Sequence, residues 1–300
     1  MTDFKQLDDY LNYLRAHGRR ESTLRNYSIN LNMILRTLKE GGHPHTAEEI
    51  TADDVTWLNL VLSERVTENT RSQYLSMLTV FVIHYTGRDV KKQADILFND
   101  ERVPSKTPFI TPEQFAQLYA KGSETDRMIL VLGAYMGLRR MEIARLKEED
   151  IHGEMMTIYG KGHGPNGKVV TMVIPQRVRK EIETYRRWKE AHPFGHEGEY
   201  LIESGRRHQM LRGISPDAVD RRMYRLAEDL GIEFAPHSLR RLFATTLYYE
   251  AGVDLITLKN LMRHSKSSST VERYIAPYKK FEREASEELS RILGGALGEL

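Results

Sequence analysis

The sequence predicts a mainly α-helical protein with a small β-sheet, and three observations carry that prediction. Apolar residues recur at helical spacing through the first third of the chain. A polar segment with three prolines follows at 99–112, and proline disfavours regular structure around it. Two short β-prone runs then flank a glycine-rich turn. We therefore expect a helical bundle over 1–98, a linker over 99–112 and a mixed α/β domain over 113–300.

Four amphipathic helices account for the first domain. The first ends at Gly18, and the second begins with Ser22 as its N-cap. Thr51 caps the third, and the fourth runs from about Thr70 to near Gly87. Because the connections between these helices are short, the pattern predicts a small helical bundle.

The second domain mixes helices with short strands, and its elements are bounded by capping residues, glycines and prolines. In chain order we expect a helix from Pro112 capped by Thr111, a helical stretch over 126–146 interrupted at Gly137, a hairpin of strands 155–159 and 169–174, a helix over 175–191, a short strand over 200–202, a helix over 216–230 capped by Ser215, and a largely helical remainder to 293.

Composition excludes several classes of protein. Cysteine is absent, which rules out disulfide frameworks and cysteine-based zinc sites and is compatible with a reducing compartment. The first ten residues are polar, and no apolar run approaches the ~18 residues of a membrane span. The net charge of +2 does not by itself mark a nucleic-acid-binding protein. We expect a cytoplasmic protein without a membrane partner, metal or other cofactor.

Five separated segments contain polar residues that make chemical sense only if folding brings them together. Taken singly, each is better explained as a solvated charge, a helix cap or a core aromatic residue. Together they supply two arginines, a lysine, two histidines and a tyrosine, a set suited to attack by a phenol on a phosphodiester. The segments are 137–142, 160–162, 237–240, 264 and 270–274.

Local context gives several of these residues a physical rationale. Arg139 follows a glycine corner, from which its planar guanidinium can grip two phosphate oxygens. His237 and Arg240 lie three apart at a predicted helix start, so they share one face at an anion-attracting helix end. Lys161 lies in a glycine-flanked turn and is favoured over Lys168, on the other side of that turn.

The ordered combination resembles the tyrosine recombinase (phage integrase) family, including Xer-type recombinases. The family pattern is Gly-Leu-Arg-x-x-Glu-Leu, Gly-Lys-Gly on a β-hairpin, His-x-Leu-Arg, Leu-Gly-His and Thr-Thr-x-x-Tyr. This chain has Gly-Leu-Arg-Arg-Met-Glu at 137–142, Gly-Lys-Gly at 160–162, His-Ser-Leu-Arg at 237–240 and Thr-Val-Glu-Arg-Tyr at 270–274. It departs from the pattern with Met-Arg-His at 262–264 and with Arg-Leu at 241–242.

The resemblance implies a SAM-like helical core-binding domain followed by a tyrosine-recombinase catalytic domain. It also implies roles for seven residues. These are phosphate binding by Arg139 and Arg240, general-acid catalysis by Lys161, acid–base or phosphate-orienting action by His237, a hydrogen bond to the scissile phosphate from His264, nucleophilic attack by Tyr274, and an acidic supporting position at Glu142.

Tyr274 and Tyr278 are both candidates for the nucleophile. The spacing from His264 to Tyr274 is one residue longer than the family's usual spacing, so Tyr278 remains a candidate. Glu272 and Arg273 make the motif around Tyr274 the better match, whereas Pro277 makes Tyr278 the poorer one.

The activity that the resemblance implies is site-specific recombination of duplex DNA. Cleavage would proceed through a 3′-phosphotyrosyl intermediate without ATP or metal, in a synaptic tetramer assembled on a specific core site. Off DNA, the protein is expected to be a monomer or dimer. An apolar stripe in the tail, over 282–300, is expected to dock on a neighbouring protomer. We expect no separate arm-binding domain, since the helical pattern begins almost at Met1, and this favours a simple Xer-like enzyme.

Two other functions would use the same motifs. A type IB topoisomerase-like enzyme shares the chemistry, and a non-catalytic DNA-binding protein could share the fold. The sequence does not separate chromosome-dimer resolution from plasmid resolution or mobile-element integration.

Overall fold

The computed structural model describes residues 4–96, 98, 108–160, 169–191, 198–204, 213–263 and 275 of the 300-residue chain. The chain divides into two compact units, whose described residues lie within 4–98 and within 108–275. The predicted fold class, mainly helical with a small sheet, is confirmed. Residues 99–107 of the predicted linker lie outside the described residues.

The first unit is helical throughout its described elements. Four of its helices match the predicted ones, and a fifth, of a single turn, was not predicted. The helices are α1 Lys5–Ala16, α2 Glu21–Glu40, α3 Ala52–Ser63, α4 Glu68–Thr86 and α5 Val90–Gln93.

Helix ends in the first unit follow local chemistry. Thr51 caps α3 as predicted: its hydroxyl accepts from the Asp54 amide, and the Asp54 carboxylate accepts from the Thr51 amide at 2.8 Å. Gly87 ends α4 in the left-handed region, with φ of 72°. The prediction of Ser22 as the N-cap of α2 was wrong, because the Arg20 carbonyl closes the first turn and Ser22 lies inside the helix.

The core of the first unit is apolar and rich in aromatic rings. Tyr10 is 1% exposed and meets Phe81 edge-on, with ring centroids 5.4 Å apart. Burial is the largest cause that raises the pKa of the Tyr10 hydroxyl to about 12, and the neighbouring Tyr27 is the next largest. The Tyr85 hydroxyl donates to the Gln6 carbonyl at 2.9 Å, tying α4 to α1. These contacts stabilise the bundle chiefly through apolar and aromatic packing.

The second unit contains the sheet and seven helices among its described residues. The elements are α6 Pro112–Lys121, α7 Glu124–Met136, α8 Arg140–Arg145, a 3-10 turn Glu148–Asp150, β1 Ile151–His152, β2 Met155–Tyr159, β3 Val169–Val173, α9 Gln176–Ala191, α10 Pro216–Glu228, α11 Ser238–Tyr249 and α12 Leu255–Leu261. Thr111 and Ser215 cap α6 and α10 as predicted.

The sheet is antiparallel with strand order β1-β2-β3. Its β2-β3 pair is the predicted hairpin, in register from Met155 opposite Val173 to Tyr159 opposite Val169. The predicted strand over 200–202 was wrong: Tyr200 makes an isolated bridge to Lys147 and no ladder. One bridged pair there leaves the segment without the repeated hydrogen bonds that define a strand.

Helix α7 is central to the second unit, and two glycines let α11 approach it closely. A Cβ on Gly133 would lie 2.9 Å from the Leu239 Cβ. Gly137 ends α7 with φ of 57°, and a Cβ there would lie 2.6 Å from the Phe243 ring. Glycine at 137 is therefore required both by its backbone conformation and by the neighbouring ring. This contact brings the 137–142 segment against α11.

Candidate active site

Arg139 lies at the corner between α7 and α8, where Glu142 holds it from two directions. The Arg139 amide donates to Glu142 Oε2 at 2.9 Å, and its Nη1 donates to Glu142 Oε1 at 2.8 Å. The Glu142 side chain is 2% exposed, whereas 25% of the Arg139 side chain remains accessible. The corner thus presents a partly accessible guanidinium on a buried carboxylate.

Arg240 lies in the first turn of α11 and joins three parts of the second unit. It is 1% exposed, and its two terminal nitrogens donate to the carbonyls of Gly137 and Met262. Because the Gly137 carbonyl belongs to the corner that precedes Arg139, this contact brings the two predicted phosphate-binding arginines together. Their separation in sequence is spanned by the α7-α11 contact.

His237 occupies the N-cap position of α11, with its side chain exposed at the surface. The start of the helix is fixed by Ser238, whose hydroxyl donates to the Pro108 carbonyl at 2.9 Å. Partial desolvation lowers the pKa of the His237 imidazole, the charges of Arg240 and Arg139 lower it further, and Asp220 opposes them. The ring is therefore neutral at pH 7 and able to accept a proton.

A further arginine, which the sequence did not predict as functional, completes this cluster. Arg263 follows α12 and is buried, and its Nη2 donates to Glu142 Oε2 and to the Gly137 carbonyl, each at 2.8 Å. The sequence carried one signal that Arg263 is functional. Its arginine stands where the Leu-Gly-His pattern has a glycine, directly before the predicted site residue His264.

Burial raises the pKa of the Glu142 carboxyl, but the surrounding charges outweigh burial and hold that pKa below its usual value. Arg263 makes the largest of these charge contributions, followed by Arg139 and Arg240, and the Arg139 amide adds a hydrogen bond. Glu142 is therefore an ionised carboxylate at the centre of three cations. The cluster of Arg139, Glu142, Arg240 and Arg263 carries a net positive charge, as an anion-binding site requires.

Two neighbouring arginines lie outside this cluster. Arg140 points to α10, where it pairs with the Asp220 and Asp217 carboxylates. Arg241 is buried on another side of α11, and burial lowers its pKa. The structure thus separates Arg139 from Arg140 and Arg240 from Arg241, as their one-residue offset on a helix predicts.

Three predicted site residues lie outside the described residues, namely Lys161, His264 and Tyr274. The alternatives Lys168 and Tyr278 and the predicted docking tail over 282–300 lie there as well. Their roles remain predictions from the sequence.

The described residues contain neither a candidate metal-binding cluster nor a candidate membrane-spanning helix. No group of three or more histidine, aspartate or glutamate side chains in the described part of the chain could hold a metal ion. None of the described helices combines the length and the apolar character needed to cross a membrane.

Two family models match the chain. One describes the phage integrase family and matches residues 108–280. The other describes the N-terminal SAM-like domain of phage integrases and matches residues 7–86.

Named relatives span nearly the whole chain. Tyrosine recombinase XerA of Pyrococcus furiosus is 29% identical over 297 residues, covering 96% of each protein. Tyrosine recombinase XerD of Listeria innocua is 28% identical over 291 residues, covering 88% of this chain and 91% of the relative.

Solved structures share the fold at lower identity. The integrase of transposon Tn1549, in complex with transposon right end DNA, superposes with a TM-score of 0.70 at 17% identity, over 96% of this chain and all of that one. A lambda integrase tetramer bound to a Holliday junction gives a TM-score of 0.67 at 18% identity, over 90% and 76% of the two chains.

Proposed function

Because the chain belongs to the phage integrase family and is a tyrosine recombinase, we propose that it cleaves and rejoins duplex DNA at a specific core site through a 3′-phosphotyrosyl intermediate. The observation that best supports this proposal is the convergence of Arg139 and Arg240 on one glycine corner. Glu142 is ionised beside them, and His237 begins the helix that carries Arg240.

The two arginines are proposed to bind the non-bridging oxygens of the scissile phosphate. Negative charge grows on these oxygens as the nucleophile attacks, and preorganised cations stabilise it without reorganisation. The backbone carbonyls and the carboxylate that hold the guanidiniums are fixed by buried secondary structure, which supports such preorganisation.

Proton transfer is proposed to involve His237 and Lys161. The Tyr274 phenol must lose its proton as its oxygen attacks phosphorus, and a neutral His237 can accept that proton. The phosphorus–5′-oxygen bond breaks, and Lys161 protonates the leaving 5′-oxygen, with Lys168 as the alternative donor. His264 is proposed to donate a hydrogen bond to the phosphate.

The intermediate is proposed to conserve the energy of the original bond. A phosphotyrosyl diester replaces the DNA diester, so a 5′-hydroxyl of another strand can reverse the attack without ATP. We accordingly expect cleavage and rejoining to proceed without nucleotide and in the presence of a metal chelator.

Assembly on DNA is proposed by analogy with the solved structures. Those structures include integrases bound to core-site or transposon-end DNA and a tetramer on a Holliday junction. We propose that residues 1–98 form the core-binding domain, 99–112 the linker and 113–300 the catalytic domain. The 282–300 segment would contact the neighbouring protomer in a synaptic tetramer.

The decisive experiment is covalent trapping on a nicked suicide substrate, in which the cleaved strand cannot be rejoined. The parent protein should form a DNA adduct resistant to denaturation, and Tyr274→Phe should abolish it because the change removes the phenol oxygen proposed to attack phosphorus. Adduct that persists in Tyr274→Phe but disappears in Tyr278→Phe would assign the nucleophile to Tyr278. No adduct from the parent protein on any DNA selected from a random library would refute cleavage activity.

Plasmid relaxation separates recombination from a topoisomerase-like activity. A recombinase should act on plasmids that carry the captured core site and should join two such sites. Relaxation of plasmids lacking that site, at the same rate, would support the topoisomerase-like alternative.

A further inference from the structure

We propose that Arg263 is a positioning residue for DNA cleavage, which holds the Glu142 carboxylate and the Gly137 carbonyl so that Arg139 and Arg240 face the scissile phosphate. The inference rests on the proposed function and adds to it a residue that the family pattern does not assign. In that pattern the corresponding position is a glycine, which has no side chain to contribute.

The Arg263 guanidinium contacts the end of α7, the start of α8, the end of α12 and, through the Met172 sulfur at 2.8 Å, strand β3. Its Nη2 donates to the Gly137 carbonyl and to Glu142 Oε2, and its Nη1 donates to the carbonyls of Met136 and Leu261 at 3.2 and 3.1 Å. Only 2% of the side chain is exposed. One fixed fork therefore joins these four elements.

Both predicted phosphate-binding arginines depend on atoms that Arg263 also contacts. The Gly137 carbonyl accepts from Arg240 as well as from Arg263. Glu142 Oε2 accepts from the Arg139 amide as well as from Arg263. A shift of Arg263 would therefore move the acceptors that orient the other two guanidiniums.

The backbone at this position gives a second, independent observation. Arg263 has φ of +57°, and among the described residues Asp95 is the other non-glycine residue with positive φ. Side chains with a Cβ are disfavoured in this region, whereas glycine is not. A strained arginine at a position that a glycine would occupy without strain indicates that its side-chain contacts offset the strain.

Charge explains what the contacts achieve. The charged groups that face the Glu142 carboxylate are Arg263 from the end of α12, Arg139 from its own corner and Arg240 from α11. Burial opposes ionisation of Glu142, and Arg263 contributes the largest opposing charge. Loss of Arg263 should raise the pKa of Glu142, and a protonated Glu142 would hold Arg139 less firmly.

A purely structural role makes a different prediction. A buried ion pair can contribute to folding alone, and its removal would then lower thermal stability without changing the chemistry of the molecules that remain folded. The test must therefore measure cleavage by folded protein.

The experiment compares Arg263→Gly with the parent protein in single-turnover cleavage of the nicked suicide substrate, over a range of pH. Arg263→Gly relieves the backbone strain but removes the guanidinium. We expect DNA affinity within about threefold of the parent and a cleavage rate reduced by about 10- to 100-fold, the range typical of lost supporting contacts. The acidic limb of the rate profile should move to higher pH, since Glu142 would protonate more readily.

Two variants make the result decisive. Asp95→Gly introduces glycine at the other left-handed position, in the first unit, and should leave cleavage unchanged. Arg263→Lys keeps the charge, but one ammonium cannot reproduce the fork, so we expect a rate between those of the parent and Arg263→Gly. This variant decides the question if Arg263→Gly does not fold.

The possible failures are distinguishable. A parent protein that forms no adduct contradicts the proposed function. A parent that cleaves, with Arg263→Gly equal to it in rate and pH profile, overturns the role of Arg263 and leaves the proposed function standing. If Arg263→Gly does not fold, Arg263→Lys equal to the parent in rate and pH profile overturns the role of the guanidinium fork.

Discussion

The two units of the chain bury different kinds of side chain. In the first unit, the buried polar side chains among the described residues are Asp54 and Thr79, and the rest of the core is aliphatic and aromatic. In the second unit, the described buried polar or charged residues are Glu142, Asp150, Glu181, Lys189, Asp220, Ser238, Arg240, Arg241, Thr245 and Arg263. The described core of the first unit is therefore almost entirely apolar, with Asp54 as its one buried carboxylate, whereas the second unit combines packing with a concentration of buried charge.

The concentration of buried charges in the second unit marks the part of the chain where chemistry is expected. Burying a charge is unfavourable unless it is paired, so a concentration of buried charges marks a region whose architecture serves more than stability. Three of the second unit's charges, Glu142, Arg240 and Arg263, lie in one cluster around Gly137. Neutralising a charge in this cluster should therefore affect the chemistry as well as the stability of the second unit, whereas a cavity in the first unit should affect stability alone.

The largest effect on stability is expected from Glu142→Gln. This change leaves Arg263 buried beside a neutral amide, and breaking a buried pair costs about 3–5 kcal/mol. Hydrogen exchange resolved to each unit should show the loss in α7, α8 and α11 and not in α1 to α4.

The pH dependence of that loss checks its cause. The pKa of Glu142 in the folded protein lies below its usual value of 4.5, so its ionised form stabilises the fold above pH 4.5. The contribution is lost as the pH falls through the lowered value. The difference between parent and Glu142→Gln should therefore shrink below pH 4.5, and a difference that stays constant there would contradict the electrostatic explanation.

Shortening a buried side chain in the first unit should lower the stability of that unit without changing the rate of DNA cleavage. Leu35 is 0% exposed in the core of the bundle, and Leu35→Ala should destabilise that unit by about 2–5 kcal/mol through the cavity it leaves. Single-turnover cleavage by folded protein at saturating DNA should match the parent. A reduced rate under those conditions would show that packing in the first unit also supports the active site.

The smallest effects are expected at helix caps, where the two units should behave alike. Thr51→Ala removes the cap of α3 and Ser215→Ala removes the cap of α10, each at a cost of about 1 kcal/mol. Urea denaturation of each variant, followed by unit-resolved exchange, measures this. Clearly unequal costs would mean that the units differ in more than their buried charges.

Local features of the fold were predictable from sequence, because they depend on neighbours along the chain. Thr51, Thr111 and Ser215 were identified as caps by residue type and position, and the β2-β3 hairpin by its glycine-rich turn. Ser22 was wrongly predicted as an N-cap, since a serine at the N-cap and a serine two positions later, inside the helix, give the same sequence pattern. Single-turn α5 and two-residue β1 are too short to give a periodic pattern.

The candidate site was predictable in part for a different reason. Arg139, His237 and Arg240 were identified by motif, but the contacts that place them are long-range. The pair between Glu142 and Arg263 spans 121 residues, and the bond from Arg240 to the Gly137 carbonyl spans 103. No local pattern encodes such pairs, which is why Arg263 was missed as a functional residue.

The acceptors around Gly137 also determine how the site tolerates mutation. Arg240 and Arg263 bind mainly to main-chain carbonyls, at Met136, Gly137, Leu261 and Met262. A carbonyl is present whatever the side chain, so substitution at three of these positions leaves the acceptor chemically intact. Gly137 is the exception, because any side chain there meets Phe243 and displaces the peptide itself. The anion-binding corner should thus tolerate substitutions at three of its four carbonyl acceptors, and mutations of the Gly137 codon should be the ones that it does not tolerate.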